Sequence, residues 1–383
     1  MLFHLHRHSK LSRCGSLLVF WFTLAFPSLS FATYMQLDGI ADIKTNFSNG
    51  CASIKDIGNQ AERLGIDATF STTLTNGGAS QVMGVALAAM AIDAGMASCV
   101  LVGYGRDNWS RVHANKENHM RSSGRPQQMY GMEFGPEFGY YGAIAAHGFG
   151  AQRHMHEYGT TREQFGAISV AFRDHAIKNP DAVMQKPLTI EDYLAGRMIV
   201  EPFSLFDCSL QTDAAGAVVV TSTERAKDLR QKPVLIKGFG TGNNISGWFN
   251  GNNMTHTGAI LSGKAAYKMA GVSPMDIDYA QIYDCFTYMV LVQLEDYGFC
   301  KKGEGGEFVA SGALALDGIL PTNTSGGQLS EAHVEGMLQV VEGVRQLQGI
   351  YGPKRQVPNA EIGLVSGHGG NTVCESTLIL GAM

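Results

Sequence analysis

From Tyr34 onward, short apolar runs alternate with segments of helical spacing, the pattern of α/β units. Residues 77–95 carry no charged side chain until Asp93, which predicts a helix starting near Ser80 and buried on nearly every side. Residues 99–102 follow as a continuously apolar strand, suited to a covered sheet. Residues 105–205 are more polar, rich in His, Arg and aromatic residues, and poor in strand signals, so they read as an insertion folded over the chemical face. Within it Thr161-Arg-Glu-Gln164 forms a capping-box sequence, and Asn179-Pro180 and Lys186-Pro187 mark breaks. Residues 214–221 return to a strand pattern and close a first half.

A second α/β half begins at Val234, with a helix over 258–269, a strand over 279–282 and a helix over 286–297. Met337, Val340, Val341, Val344 and Leu347 recur on one helical face. Two strand-like runs, 362–365 and 377–380, end the chain, joined through Gly367-His-Gly-Gly370. The expected organisation is a segment 1–33, a first half over 34–232 with an insertion over about 105–205, and a second half over 233–383.

The first 33 residues break the pattern. A basic, His-rich start precedes an apolar run over 16–26 and a stretch ending Ser-Phe-Ala at Ala32. By shape residues 1–32 are a secretory signal peptide, too short for an ordinary membrane span. The alternative is a non-native start of the reading frame.

Composition narrows the class. The 383 residues are 45% apolar and 16% charged, which fits two medium domains or one duplicated fold and excludes disorder. The 47 glycines include short runs such as Gly77-Gly78, Gly305-Gly306, Gly326-Gly327 and Gly369-Gly370, with no period, as in tight turns where backbone approaches a ligand. A net charge of −5 without a Lys/Arg stripe argues against a nucleic-acid surface. Seven cysteines with no C-x-x-C pair favour a reducing compartment over a disulfide framework or zinc ribbon.

Five ordered motifs then point to a family. They are Gly77-Gly-Ala-Ser80 with the apolar helix after it, Asp213-Ala-Ala-Gly216, Tyr283-Asp-Cys-Phe286, Asn323-Thr-Ser-Gly-Gly327 with Ala332-His-Val-Glu-Gly336, and Gly367-His-Gly-Gly370. Together with the stretch Leu294-Glu-Asp-Tyr-Gly-Phe-Cys-Lys-Lys-Gly-Glu-Gly-Gly306 they resemble the thiolase superfamily across residues 34–383, nearest its sterol-carrier-protein-X-like branch. The resemblance implies an α/β fold of two βαβαβαββ halves in a five-layered α/β/α/β/α body, here with the first half truncated at its amino terminus. It also implies a homodimer, an acyl-CoA substrate bound by the insertion, and a cytoplasmic location, which favours the non-native reading of residues 1–33.

The departures from the family carry the chemistry. A thiolase nucleophile is a cysteine at the amino terminus of the buried helix, where the helix dipole favours thiolate. That position here is Asn76, which cannot attack a thioester. Cys51 imitates the motif without a long buried helix behind it, and the second thiolase cysteine corresponds to Gly367. What remains is Tyr283 in place of the family Asn or His, His333 in the place of the family histidine that holds the thioester oxyanion, and His368. Backbone N–H groups of Gly369 and Gly370 complete a candidate oxyanion hole. This inventory suits chemistry through a thioester enolate without a covalent intermediate, such as retro-aldol cleavage of a β-hydroxyacyl-CoA. Similar proteins of steroid side-chain degradation work with a zinc-ribbon/OB-fold partner. A catalytically degenerate acyl-CoA or lipid carrier is the alternative, and the acyl chain stays open.

Other residues read more plainly. Cys285 is a small buried hydrophobe, Cys99 and Cys374 are strand packing, and Asp213 fixes a loop. His147, His154 and His156 read as surface or structural residues without zinc spacing, so no metal is expected, and no cofactor beyond the substrate's coenzyme A.

Overall fold

The computed structural model describes residues 17–22, 39–43, 66–110, 142–243, 254–370 and 374–383. The strands of its main sheet are β1 (Leu17–Phe22), β2 (Gly39–Ile43), β3 (Phe70–Leu74), β4 (Cys99–Asp107), β7 (Asp213–Ser222), β8 (Val234–Asn243), β9 (Tyr279–Gln281), β10 (Ile362–Gly369) and β11 (Cys374–Ala382). β5 (Met198–Val200) and β6 (Phe203–Ser204) pair separately. The main ladder runs β3-β2-β4-β7-β1-β8-β11-β10-β9. β2 is parallel to β3 and β4, β9 is parallel to β10, and the junctions between are antiparallel.

The sequence reading treats residues 1–33 as outside the fold. In the structure Leu17–Phe22 forms β1 and lies antiparallel to both β7 and β8, joining the two portions of sheet. Its sequence, Leu-Leu-Val-Phe-Trp-Phe, is rich in strand-forming aromatic and branched residues, so it satisfies a strand as readily as a leader.

The strands alternate as a covered sheet requires. Val100, Val102, Val218, Val220, Val365, Leu378 and Leu380 face one core, while Cys99 and Val219 face a second and Leu364 and Ile379 a third. In the first of these cores lie α1 (Ser80–Asp93) and, at the far end of the chain, a helix over Met337–Gln348, side by side between the two sheet portions. All five apolar residues singled out on that second helix are buried. The helix Ala259–Ala270 covers β8 and β11 from outside, and Ala226 of the short helix Thr223–Ala226 packs on Cys99 and Val219. Helix, sheet, helix pair, sheet and helix therefore alternate, the five-layered order expected.

The insertion supplies α2 (Gly142–Tyr158), α3 (Arg162–Ile177) and α4 (Ile190–Leu194). Both arms of the Thr161/Gln164 capping box form. Phe165, Ile168 and Phe172 of α3 share a core with Tyr288, Met289 and Leu291 of α5 (Thr287–Asp296), which seats the insertion on the second half. Among the described residues no helix is long and apolar enough to cross a membrane.

A polar joint fastens the same contact. At the Asn179-Pro180 break, Asn179 Nδ2 donates to Ser325 O at 3.0 Å and to Glu331 Oε1 at 3.2 Å, and Ser325 Oγ donates to Glu331 Oε2 at 2.6 Å. Burial, with Glu342 nearby, pushes the Glu331 carboxyl up to about 8. The folded chain therefore holds this proton up to about pH 8, while the unfolded chain loses it near its ordinary value. The contribution is fully present below the unfolded pKa and is lost as pH rises through the folded one. Glu331→Gln keeps an uncharged hydrogen-bonding group here. It should leave urea stability unchanged near about pH 4 and raise it by about 2 kcal/mol near pH 9, about half the full linkage value. Parallel pH profiles for the two proteins would contradict this assignment.

Candidate active site

The start of α1 is where the site assembles. Asn76 precedes the Gly77–Ala79 turn that leads into the helix, and its backbone N–H donates to Ser80 Oγ at 2.8 Å. Its side-chain amide faces Met83 Sδ at 3.4 Å and Cys374 Sγ at 3.8 Å. β10 lies against this turn so closely that a Cβ on Gly369 would come within 1.9 Å of Asn76 O. Gly369 and Gly370 thus lie against Asn76 and Gly77 at the start of α1. The Gly367–Gly370 stretch is not a free turn, however. Residues through Gly369 pair with β11 as strand, and only Gly370, at φ +63°, leaves the ladder. Cys51 and residues 371–373 lie outside the described residues.

Tyr283 packs on the same helix start from the second half. A Cβ at Gly78 would fall 2.2 Å from Tyr283 Cε2, so glycine there is what lets the ring lie on the helix start. The Tyr283 backbone N–H donates to Ser366 Oγ at 2.8 Å, and Gln293 Nε2 donates to Tyr283 O at 2.8 Å, fixing the ring from β10 and α5. Its phenol donates to Glu335 Oε2 at 3.0 Å. Burial first, and then the Glu335 charge, holds that phenol well above its ordinary value, so it is protonated at neutral pH.

Glu335 lies within the Ala332–Gly336 motif, where the sequence reading singled out only His333. It is buried, ion-pairs with Arg106 from β4, and sits at φ +52°, a left-handed conformation unusual for a non-glycine residue. His333 Nε2 lies 4.0 Å from Glu335 Oε2. Tyr283 and His333 are therefore brought together, with Glu335 between them. The His333 backbone N–H donates to Thr212 Oγ1 at 2.9 Å, and Nδ1 is 3.2 Å from Ser209 Oγ. The Ser209 hydroxyl can donate to Nδ1 or accept from it, and the Leu210 backbone also contacts the ring; the tautomer with the proton on Nε2 faces the Glu335 carboxylate. Burial keeps the imidazole below its ordinary pKa, and hence neutral. Nε2 is buried without a hydrogen-bond partner among the described residues. Asp284 positions the same loop: it accepts from the N–H groups of Gln328 and Leu329 at 2.9 and 3.2 Å and from Gln339 Nε2 at 2.8 Å.

His368 is part of a strand. It lies within β10, buried rather than at a surface turn, with Nδ1 2.6 Å from Glu375 Oε1 and Nε2 3.1 Å from His147 Nε2. His147 is accordingly not a surface residue: α2 carries it into the site, with Cys285 Sγ 4.0 Å away. Three potential ligand atoms thus meet there. Of the other insertion histidines, His154 is buried against Glu295 at 3.0 Å, and His156 is exposed. Cys285 lies beside Tyr283, partly buried, with its thiol well above the ordinary value through burial first. Burial also raises Cys374, and lifts Cys208 and Cys300 to about 12, so none of these four is a ready thiolate. Asp213 fixes a loop as expected, accepting from the Ser110 backbone N–H at 3.0 Å.

Comparison with known proteins shows what the chain is similar to. The family described as "Thiolase C-terminal domain-like" matches residues 240–382. Over 293 residues the chain is 39% identical to the 17-hydroxy-3-oxo-4-pregnene-20-carboxyl-CoA lyase of Mycobacterium tuberculosis, covering 73% of this chain and 74% of that protein. It is 29% identical over 294 residues to sterol carrier protein 2 of Bos taurus, covering 73% of this chain and 53% of the relative. Among solved structures, the Ltp2-ChsH2(DUF35) aldolase superposes with a TM-score of 0.79 at 35% identity, covering 91% of this chain and 87% of that one.

Proposed function

The chain belongs to the thiolase superfamily, on its sterol-carrier-protein-X-like branch, and on that premise we propose that it cleaves a β-hydroxyacyl-CoA by a retro-aldol reaction. The observation that carries the reading is the pairing of Asn76 at the nucleophile position with an intact Tyr283–Glu335–His333 cluster beside it. A degenerate carrier has no need to bury an acid, a carboxylate and an unpartnered imidazole nitrogen at that point.

In this mechanism the β-hydroxyl loses its proton, the Cα–Cβ bond breaks, a ketone departs, and the electron pair passes to the thioester carbonyl as an enolate. Proton return to Cα then gives the shorter acyl-CoA. Tyr283 exchanges the proton with substrate while Glu335, held by Arg106, accepts from the phenol. His333 Nε2–H, with the backbone N–H groups of Gly369 and Gly370, stabilises the enolate oxygen.

The names of the relatives direct the choice of substrate and partner. A steroid-derived acyl-CoA with a hydroxyl β to the thioester carbonyl is the first substrate to test. A DUF35-type partner, of zinc-ribbon and OB-fold build, is the first protein to add, and a homodimer is the assembly proposed. Coenzyme A thioesters make the cytoplasm the proposed location. The substrate's coenzyme A is the one prosthetic element that this chemistry calls for.

The test is product analysis with the full chain and its partner. A β-hydroxyacyl-CoA should give ketone and shortened acyl-CoA, while thiolysis of acetoacetyl-CoA should be absent or trace. Alkylating the cysteines should leave coenzyme A ester binding intact. Robust thiolysis lost in Cys285→Ala or Cys51→Ala would show that a nucleophile exists elsewhere, and binding without turnover would favour the carrier.

A further inference from the structure

His147, Cys285 and His368 are far apart in sequence, on α2, in the loop before α5 and on β10. Their ligand atoms nonetheless lie within 4.8 Å of one another, with the two Nε2 atoms 3.1 Å apart and Cys285 Sγ 4.0 Å from His147 Nε2. The far side of each ring is also set. His147 Nδ1 is 2.7 Å from Ala143 O, which can only accept, so Nδ1 carries the proton and Nε2 presents its lone pair to the cluster. His368 Nδ1 is 2.6 Å from Glu375 Oε1. A backbone carbonyl behind His147 is the usual outer support of a metal-bound histidine, and the buried Glu375 side chain stands in the same place behind His368.

We propose that His147, Cys285 and His368 form a binding site for a divalent transition-metal ion of the zinc type. Two nitrogens on tetrahedral zinc stand about 3.3 Å apart, and a nitrogen and a sulfur about 3.6 Å, given the usual bond lengths. The two nitrogens and the His147–Cys285 pair need to shift by only a few tenths of an ångström, and Cys285 must close on His368 by about 1 Å, within reach of a χ1 rotation. Two imidazoles and a thiolate select zinc or cobalt(II) and disfavour magnesium and calcium, which prefer oxygen. As the Sγ–metal bond forms, the Cys285 thiol proton leaves to solvent. Cys285 keeps partial exposure, which gives the ion an entry. The ion would tie the insertion to the second half, next to Tyr283, whose ring centroid is 5.7 Å from that of His368. The site stands on ligand geometry and does not depend on the reaction proposed above.

The probe is Co²⁺ added to the full chain after chelator treatment, without substrate. One equivalent should bind with a thiolate-to-cobalt charge-transfer band and the visible bands of a tetrahedral ion, and Zn²⁺ should displace it. Cys285→Ser, nearly isosteric, should abolish the charge-transfer band, and His147→Ala should weaken binding by at least about tenfold. Cys300→Ser, outside the cluster, should leave the spectrum unchanged. A folded protein without such a band, or a band that survives Cys285→Ser, overturns the site and leaves His147 and His368 as an ordinary hydrogen-bonded pair. Should His147→Ala unfold, the Cys285→Ser spectrum decides alone.

Discussion

Tyr283→Phe should lower the kcat of retro-aldol cleavage by about 10²–10⁴-fold, the usual contribution of a positioned general acid/base. The substitution removes one atom that matters, the phenol oxygen. The ring keeps its place between Gly78 and Gly336, where close approach of the backbone already requires glycine. Glu335 loses its phenol donor but keeps Arg106, so the carboxylate is not stranded. The expected stability cost is that of one buried hydrogen bond, about 1 kcal/mol, too small to unfold the chain. Since the phenol acts on the reacting proton, kcat and kcat/KM should fall together with little change in ester binding. The check is single-turnover cleavage alongside circular dichroism, and a folded variant within about threefold of the parent rate would remove Tyr283 from the mechanism.

Most of the fold was legible because its signals are local. The uncharged run ahead of Asp93 became the buried α1, and the five-residue apolar face from Met337 to Leu347 became its neighbour between the sheets. The Thr161 capping box formed with both arms. Tyr283, His333 and the Gly369-Gly370 pair were legible for another reason: each sits in a motif whose order along the chain carries over. Glu335, His147 and Cys285 were not, because what makes them part of the site is contact across the fold. Glu335 matters through Arg106, 229 positions away, and His147 through His368, 221 positions away. No spacing rule spans such separations. The unusual φ of Glu335 is likewise visible only in the backbone. For residues 17–22 the ambiguity was physical: six apolar, strand-forming residues look alike in a leader and in a covered sheet.

In the proposed mechanism Glu335 would also let an acid and an oxyanion donor share one small site. Its carboxylate accepts from Tyr283 on one oxygen and pairs with Arg106 on the other, so its charge is anchored before substrate arrives. Such preorganised groups act without the reorganisation that water would require. Asp284 contributes at one remove, stapling the 328–329 backbone ahead of His333.

His333→Ala should reduce kcat by about two to three powers of ten while leaving the affinity for substrate nearly unchanged. An oxyanion donor is worth about 2.7–4 kcal/mol, felt as negative charge develops on the thioester oxygen and only weakly in the ground state. The structure supports that division. His333 Nε2 is buried without a hydrogen-bond partner among the described residues, 4.0 Å from Glu335 Oε2. A donor whose partner appears only during reaction has that profile. His333→Ala also gives up the Nδ1 contact with Ser209, a loss of about 1 kcal/mol that is too small to unfold the chain. His333→Gln, which restores an N–H near the same place, should recover part of the lost rate, whereas a purely packing role would be served no better by glutamine than by alanine. The discriminating measurement is therefore kcat beside KM for both variants, with thermal unfolding as the control. An equal loss in both, with lowered stability, would make His333 a packing residue and shift the enolate's stabilisation to the backbone of Gly369 and Gly370.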